Sequence, residues 1–277
     1  MPVGDSGTRG FTPSNRAPRG AETSLTDRAR QKLILALDFP SFDSAFQFAQ
    51  SLSALVGIFK INIHLFTAEG PSSVQKLQHL GPEIFLDLKF HDIPNTVAGA
   101  VTAAVRLPGV RLLDVHTLGG LEMMRAAAKA RDESSLPLAL RPKLLGVTIL
   151  TSMDNSALRA VGISGTASVR AVKLARLARQ AGLDGVVASP QEVRAIRSAC
   201  GKDFLIVVPG IRPEVGGGSG RSPKREKDDQ ARVATPAEAI RAGADYLVIG
   251  RPITAAPDPA AAARAILEEI ASALPAN

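Results

Sequence analysis

Three charged residues interrupt one apolar run, Phe85-Leu86-Asp87-Leu88-Lys89-Phe90-His91-Asp92-Ile93-Pro94-Asn95-Thr96, and charges so placed need a chemical reason. Read as a strand, the run alternates faces, so Asp87 and Lys89 point one way while Leu86 and Leu88 point the other. A carboxylate and an ammonium group on one face form a candidate catalytic site. Pro94 suits the first position of a helix, which puts Asp92 in the tight strand-to-helix connection where catalytic groups of alternating strand–helix proteins gather. The alternative for Asp87 and Lys89 is an ion pair closing a core. Buried pairs are weak stabilisers, however, and a third charge so close argues for a site.

A second group of residues fits phosphate. Strand-like runs lead into Pro209-Gly210-Ile211-Arg212-Pro213 and into Gly250-Arg251-Pro252. There a glycine allows close approach of a backbone N–H and an arginine supplies a bidentate cation. Between them, residues 214–230 are long, glycine-rich and charged. Val215–Lys227 reads as a tolerated surface insertion, whereas its anchors Arg212 and Gln230 are placed to close over a phosphate.

The elements that must position these groups recur along the chain. Short apolar runs at Leu33–Phe39, Gly57–Ile63, Ile84–Phe90, Leu112–His116, Leu144–Leu150, Gly185–Ala188, Phe204–Val208 and Tyr246–Gly250 alternate with segments long enough for helices, among them Ser44–Leu55, Ala167–Ala181 and Pro236–Ala242. Eight such units over residues 32–277 predict an α/β protein, a (β/α)8 TIM barrel, whose strands are buried on both faces and therefore read as continuous apolar runs. A doubly wound open sheet is the competing fold. It expects a glycine fingerprint after the first strand, where Ala36-Leu37-Asp38-Phe39-Pro40 stands instead. In a barrel the polar residues at strand C-termini form the site. Here they are Asp38, Lys60, Asp87 with Lys89, Asp114 with His116, Thr148 with Thr151, Arg212, and Gly250 with Arg251. Residues 1–31 are rich in Gly, Pro, Ser, Thr and Arg, and are expected to be a disordered N-terminal extension.

Composition narrows the function classes. The net charge of +7 is dispersed, the chain has one Tyr and no Trp, and no nucleic-acid-binding motif is present. Nucleic acid is therefore not an expected partner, and an anionic small substrate accounts for the excess. The single cysteine, Cys200, rules out an internal disulfide and fits a reducing compartment. No run reaches the ~18 apolar residues of a membrane span, and the first 30 residues lack a secretory core. A cytoplasmic protein with no membrane partner is expected.

With these residues in view, the chain from Lys32 to about Ser272 closely resembles the orotidine 5′-phosphate decarboxylase family, bacterial type. The resemblance is carried by Asp87-Leu88-Lys89-Phe90-His91-Asp92-Ile93-Pro94-Asn95-Thr96, Leu35-Ala36-Leu37-Asp38, Leu150-Thr151-Ser152-Met153, Pro209-Gly210-Ile211-Arg212-Pro213 and Tyr246-Leu247-Val248-Ile249-Gly250-Arg251-Pro252. It implies decarboxylation of orotidine 5′-phosphate to UMP without a cofactor. Lys89 would be the proton donor within an array of Lys60, Asp87, Lys89 and Asp92. Asp38 and Lys60 would hold the ribose, Thr151 would lie near the pyrimidine, and Arg212, Gln230, Gly250 and Arg251 would grip the phosphate. It further implies a homodimer with shared sites, in which Asp92, Ile93 and Thr96 reach the partner's site. The family usually shows a valine and a glycine after the lysine at position 60, whereas Ile61-Asn62 stand here.

The Asp-x-Lys-x-x-Asp spacing is shared with metal-dependent sugar-phosphate decarboxylases and aldolases of the same superfamily, which are the runner-up. The four histidines, His64, His79, His91 and His116, show no zinc-type pair spacing. No metal is expected; His116, at a strand end, is the one candidate ligand among them.

Overall fold

The computed structural model describes residues 24–213 and 233–275. The expectations for residues 1–23 and for 214–230, Gln230 included, lie outside the described residues.

Eight parallel strands close in sequence order into a barrel. They are β1 (Leu33–Ala36), β2 (Ile58–Asn62), β3 (Glu83–Phe90), β4 (Val110–His116), β5 (Lys143–Val147), β6 (Gly185–Val187), β7 (Leu205–Val208) and β8 (Tyr246–Ile249). Each overlaps the apolar run that predicted it, with boundaries that differ by up to three residues. Twelve helices accompany them among the described residues: α1 (Leu25–Lys32), α2 (Phe42–Leu52), α3 (Ile63–Glu69), α4 (Ser72–Gln78), α5 (Pro94–Ala104), α6 (Gly120–Asp132), α7 (Asn155–Ala160), α8 (Ala167–Gln180), α9 (Val193–Cys200), α10 (Pro236–Ala242), α11 (Arg251–Thr254) and α12 (Pro259–Ala273).

Local chemistry sets several boundaries. Ser41 and Thr235 cap α2 and α10 by accepting hydrogen bonds from Ser44 N and Glu238 N, and Pro94 and Pro236 occupy first helical positions. One boundary differs from expectation. Residues 25–31, assigned to the extension, fold into α1, which Ser24 caps by accepting from Asp27 N. This helix packs against α12. Arg28 donates to Pro275 O and Lys32 to Asp245 O. Its sequence is nearly all polar and Ala29 is its one buried residue, so apolar periodicity could not reveal it. Cap and tertiary contacts hold it instead.

Two hydrophobic layers explain the continuous apolar runs. Outward-facing residues such as Leu35, Phe59, Leu86, Leu113 and Ile206 pack against the helices. Inward-facing Ile34, Ile58, Phe85, Leu112, Leu145, Val207 and Val248 fill the barrel. Because the strand period is two, the inward series of each strand continues upward from this plug. Above Ile58 stand Lys60 and Asn62; above Phe85, Asp87; above Leu112, Asp114 and His116; above Val248, Gly250. The barrel is dry below and charged above, and the change occurs within one side-chain layer.

Candidate active site

A cavity of about 480 Å³ opens at the C-terminal ends of the strands. Of the sequence-expected residues, Asp38, Lys60, Asp87, Lys89, Thr151, Arg212, Gly250 and Arg251 line it. They come from six segments spread between Asp38 and Arg251, and only barrel closure brings them together. Phe85, Val187 and Val248 supply apolar walls.

The charged centre is tightly interlocked. Lys60 Nζ lies 3.0 Å from Asp87 Oδ2 and 3.4 Å from Asp38 Oδ1, while Lys89 Nζ pairs with the other oxygen, Asp87 Oδ1. Lys60 and Asp87 are each only 7% exposed. Burial opposes the charge on each, but the opposite charges win. Asp87 is held far below the usual carboxylate range by Lys60 and Lys89 despite its desolvation. Lys60 is raised above the ordinary lysine value by Asp87 and Asp38, again against desolvation. Both therefore remain ionised at neutral pH.

Asn62, the departure from the family pattern, is integrated into this array. Its Nδ2 donates to Asp38 Oδ1 at 2.8 Å, and its Oδ1 accepts from Leu65 N at 2.8 Å as the cap of α3. One side chain thus orients a site carboxylate and starts the following helix.

Simple alternation fails at Lys89. Between the pairs Leu86↔Leu113 and Phe90↔Val115, β3 advances four residues while β4 advances two. Lys89 lies in this bulge with φ 51°, the only non-glycine residue among those described with positive φ. Such a conformation costs on the order of 1–3 kcal/mol and persists where surrounding contacts over-determine it. The contact here is Asp114, whose Oδ1 accepts the Lys89 backbone N–H at 2.7 Å. Asp114 was visible in the sequence as a rim residue, but not as a partner of Lys89. An aspartate flanked by Leu113 and Val115 was the available signal.

Asp92, Ile93 and Thr96 do not line this cavity. Asp92 Oδ1 accepts from Ile93 N at 2.6 Å at the start of α5, and all three residues are exposed, Ile93 by 67%. His116 stacks on His91 with ring centroids 5.2 Å apart and accepts from Leu118 N through Nδ1. Burial, then His91 and Lys89, push its pKa down to about 4.

The comparisons with known proteins agree with this architecture. Residues 31–266 match the orotidine 5′-phosphate decarboxylase/HUMPS family. The chain belongs to that family. It is 54% identical over 244 residues to the orotidine 5′-phosphate decarboxylase of Geobacter sulfurreducens, covering 88% of this chain and 98% of that one. Identity to the enzyme of the same name from Moorella thermoacetica is also 54%, over 87% and 93% of the two chains. The crystal structure of orotidine 5′-phosphate decarboxylase from Lactobacillus acidophilus superposes with a TM-score of 0.71 at 37% identity, covering 86% of this chain and 98% of that one. Family membership and the barrel thus match what the strand-end residues implied. Among the described residues, no helix is long and apolar enough to cross a membrane.

Proposed function

We propose that this protein decarboxylates orotidine 5′-phosphate to UMP and carbon dioxide in pyrimidine biosynthesis, without metal or cofactor. The observation that carries the reading is the double occupancy of Asp87, with Lys89 on one oxygen and Lys60 on the other. In the metal-dependent alternative this carboxylate would offer an oxygen to a cation, and here both oxygens already hold ammonium groups.

The chemistry suits that array. When the bond from carbon 6 of the pyrimidine to its carboxylate breaks, the electron pair stays on carbon 6 in an orbital the ring cannot delocalise. The Lys89 ammonium beside that carbon stabilises the developing charge and then transfers a proton to it, leaving a neutral amine that solvent reprotonates. Asp87 keeps Lys89 charged and aimed, and Lys60 balances Asp87. Asp38 and Lys60 hold the ribose hydroxyls, and Thr151 faces the pyrimidine. Arg212, Gly250, Arg251 and Gln230 bind the 5′-phosphate, whose remote binding energy is then available to the reacting centre.

The working form is a homodimer in which Asp92, Ile93 and Thr96 complete the neighbouring site. Ile63, Ile93 and Leu118, which follow β2, β3 and β4 on one arc of the rim, are 61, 67 and 43% exposed. Exposed apolar groups on three adjacent strand ends suit an interface between copies. A cytoplasmic location follows from the pathway.

The deciding experiment follows the ultraviolet absorbance of orotidine 5′-phosphate in the presence of EDTA. Its loss supports the proposal. Activity confined to Mg²⁺ and a ketose phosphate would replace it with the superfamily alternative, and salt-sensitive retention of RNA with neither activity would point to a binding protein.

A further inference from the structure

The bulge that carries Lys89 leaves its backbone N–H without a carbonyl from β4, and the Asp114 side chain takes that place. Asp114 is 0% exposed, and its Oδ2 meets no donor among the described residues. It forms none of the ion pairs among those residues. The charged groups facing it are Asp87 and Lys89, and Asp87 is its neighbour across the strands, since each aspartate stands one residue beyond the pair Leu86↔Leu113. Two carboxyl groups side by side in a buried layer are best accommodated by one proton between them, since two ionised carboxylates offer each other no donor. Asp87 is already fixed as the anion by two lysines, so the proton belongs on Asp114.

We infer that Asp114 is a positioning residue that acts as a neutral acid, accepting the Lys89 N–H with one oxygen and donating its carboxyl proton to Asp87. The first bond holds Lys89 in its left-handed conformation, which fixes where Nζ points. The second occupies a lone pair of Asp87 without adding a charge beside the lysine. An ionised Asp114 would instead bury a second anion beside Asp87 with no ion pair of its own and compete with Asp87 for Lys89. Burial and the Asp87 charge both raise the Asp114 pKa, in keeping with this assignment.

Asp114's role in turnover rests on Lys89 being the reacting group of the proposed decarboxylase, so wild-type activity is measured first. Asparagine reproduces the neutral acid, with an oxygen for Lys89 N and an N–H for Asp87, whereas valine keeps the volume and removes both bonds. Asp114→Asn is expected to retain kcat within about threefold, and Asp114→Val to lose about 100-fold in kcat with KM changed less than threefold, as for a misplaced reacting group. Retained kcat in Asp114→Val, a loss in Asp114→Asn as deep as in Asp114→Val, or a parallel rise in KM overturns the role.

An infrared difference spectrum between wild type and Asp114→Asn at neutral pH tests the proton independently of activity. The carbonyl band of a protonated carboxyl group should be present in wild type and missing in the variant. Its absence from wild type overturns the neutral-acid assignment even if the enzyme decarboxylates. Should Asp114→Val fail to fold, Asp114→Asn and the infrared band decide the matter.

Discussion

Lys60 Nζ stands 3.0 Å from Asp87 Oδ2 although the two side chains rise from different levels of neighbouring strands, since Asp87 pairs in register with Asn62 and Lys60 with Phe85. The lysine reaches up one layer to meet the carboxylate. Its ammonium thereby leaves the apolar plug beneath and enters the charged layer, where Lys89 holds the other Asp87 oxygen.

On the proposed mechanism, Lys89→Ala removes the proton donor and the charge opposite carbon 6. A loss in kcat of at least about 10³-fold is expected, with the fold and phosphate-dependent binding retained. Steady-state kinetics and circular dichroism check this, and retention of more than a few per cent of turnover would reassign the donor.

Arg251→Ala should weaken binding of orotidine 5′-phosphate by about 10- to 100-fold, the scale of a lost charge-assisted bidentate contact. Turnover of the phosphate-free nucleoside should scarcely change. Equal damage to both substrates would mean that Arg251 supports the fold rather than the phosphate.

Asp92 lies outside the cavity and commits one oxygen to Ile93 N, and the proposed sharing of sites in a dimer is testable by mixing. Inactive Lys89→Ala and Asp92→Ala chains, denatured and refolded together, form mixed dimers with one doubly damaged site and one intact site. Random pairing should restore about a quarter of wild-type activity by two-fold symmetry. If Asp92 serves its own subunit, no activity above that of the separate variants returns.

His116 is neutral in the folded protein until the pH nears 4, whereas in the unfolded chain it takes up a proton near its ordinary value of about 6.5. Its contribution to stability is therefore full above pH 6.5 and declines as the pH falls toward 4. Chemical denaturation of wild type and His116→Gln across that window should show a shallower decline for the variant. Identical slopes would assign the acid sensitivity to other groups.

Gly57 precedes β2 directly beneath α1, and a Cβ there would come within 2.5 Å of Arg30 O and 2.8 Å of Gln31 Cα. Backbone cannot yield as a flexible side chain can, so Gly57→Ala should cost about 1–3 kcal/mol in denaturant unfolding. An unchanged midpoint would show that α1 is not docked on the barrel.

Much of the site was legible in order. The eight apolar runs, the charged layer at their ends, and Pro94 as the start of α5 follow from periodicity and turn chemistry, which are local properties. So do Arg212, Gly250 and Arg251 as cavity residues, once strand ends are known to converge. The bulge at Lys89 was not legible, because alternation describes a single strand while a bulge exists only between two, here as four residues of β3 against two of β4. Asp114 depends on that same pairing. Its backbone acceptor role toward a residue 25 positions away has no trace in spacing. Helix α1 was hidden for a related reason: it is held by a cap and by contacts with Asp245, Pro275 and Gly57, all distant in the chain. Alternation with a period of two was enough to send Lys60, Asp87 and Asp114 inward at the rim, though not to place Lys89, which sits in the bulge. Only the tertiary structure decided which carboxylate answers which lysine, because that depends on register, twist and strand closure summed around the whole barrel.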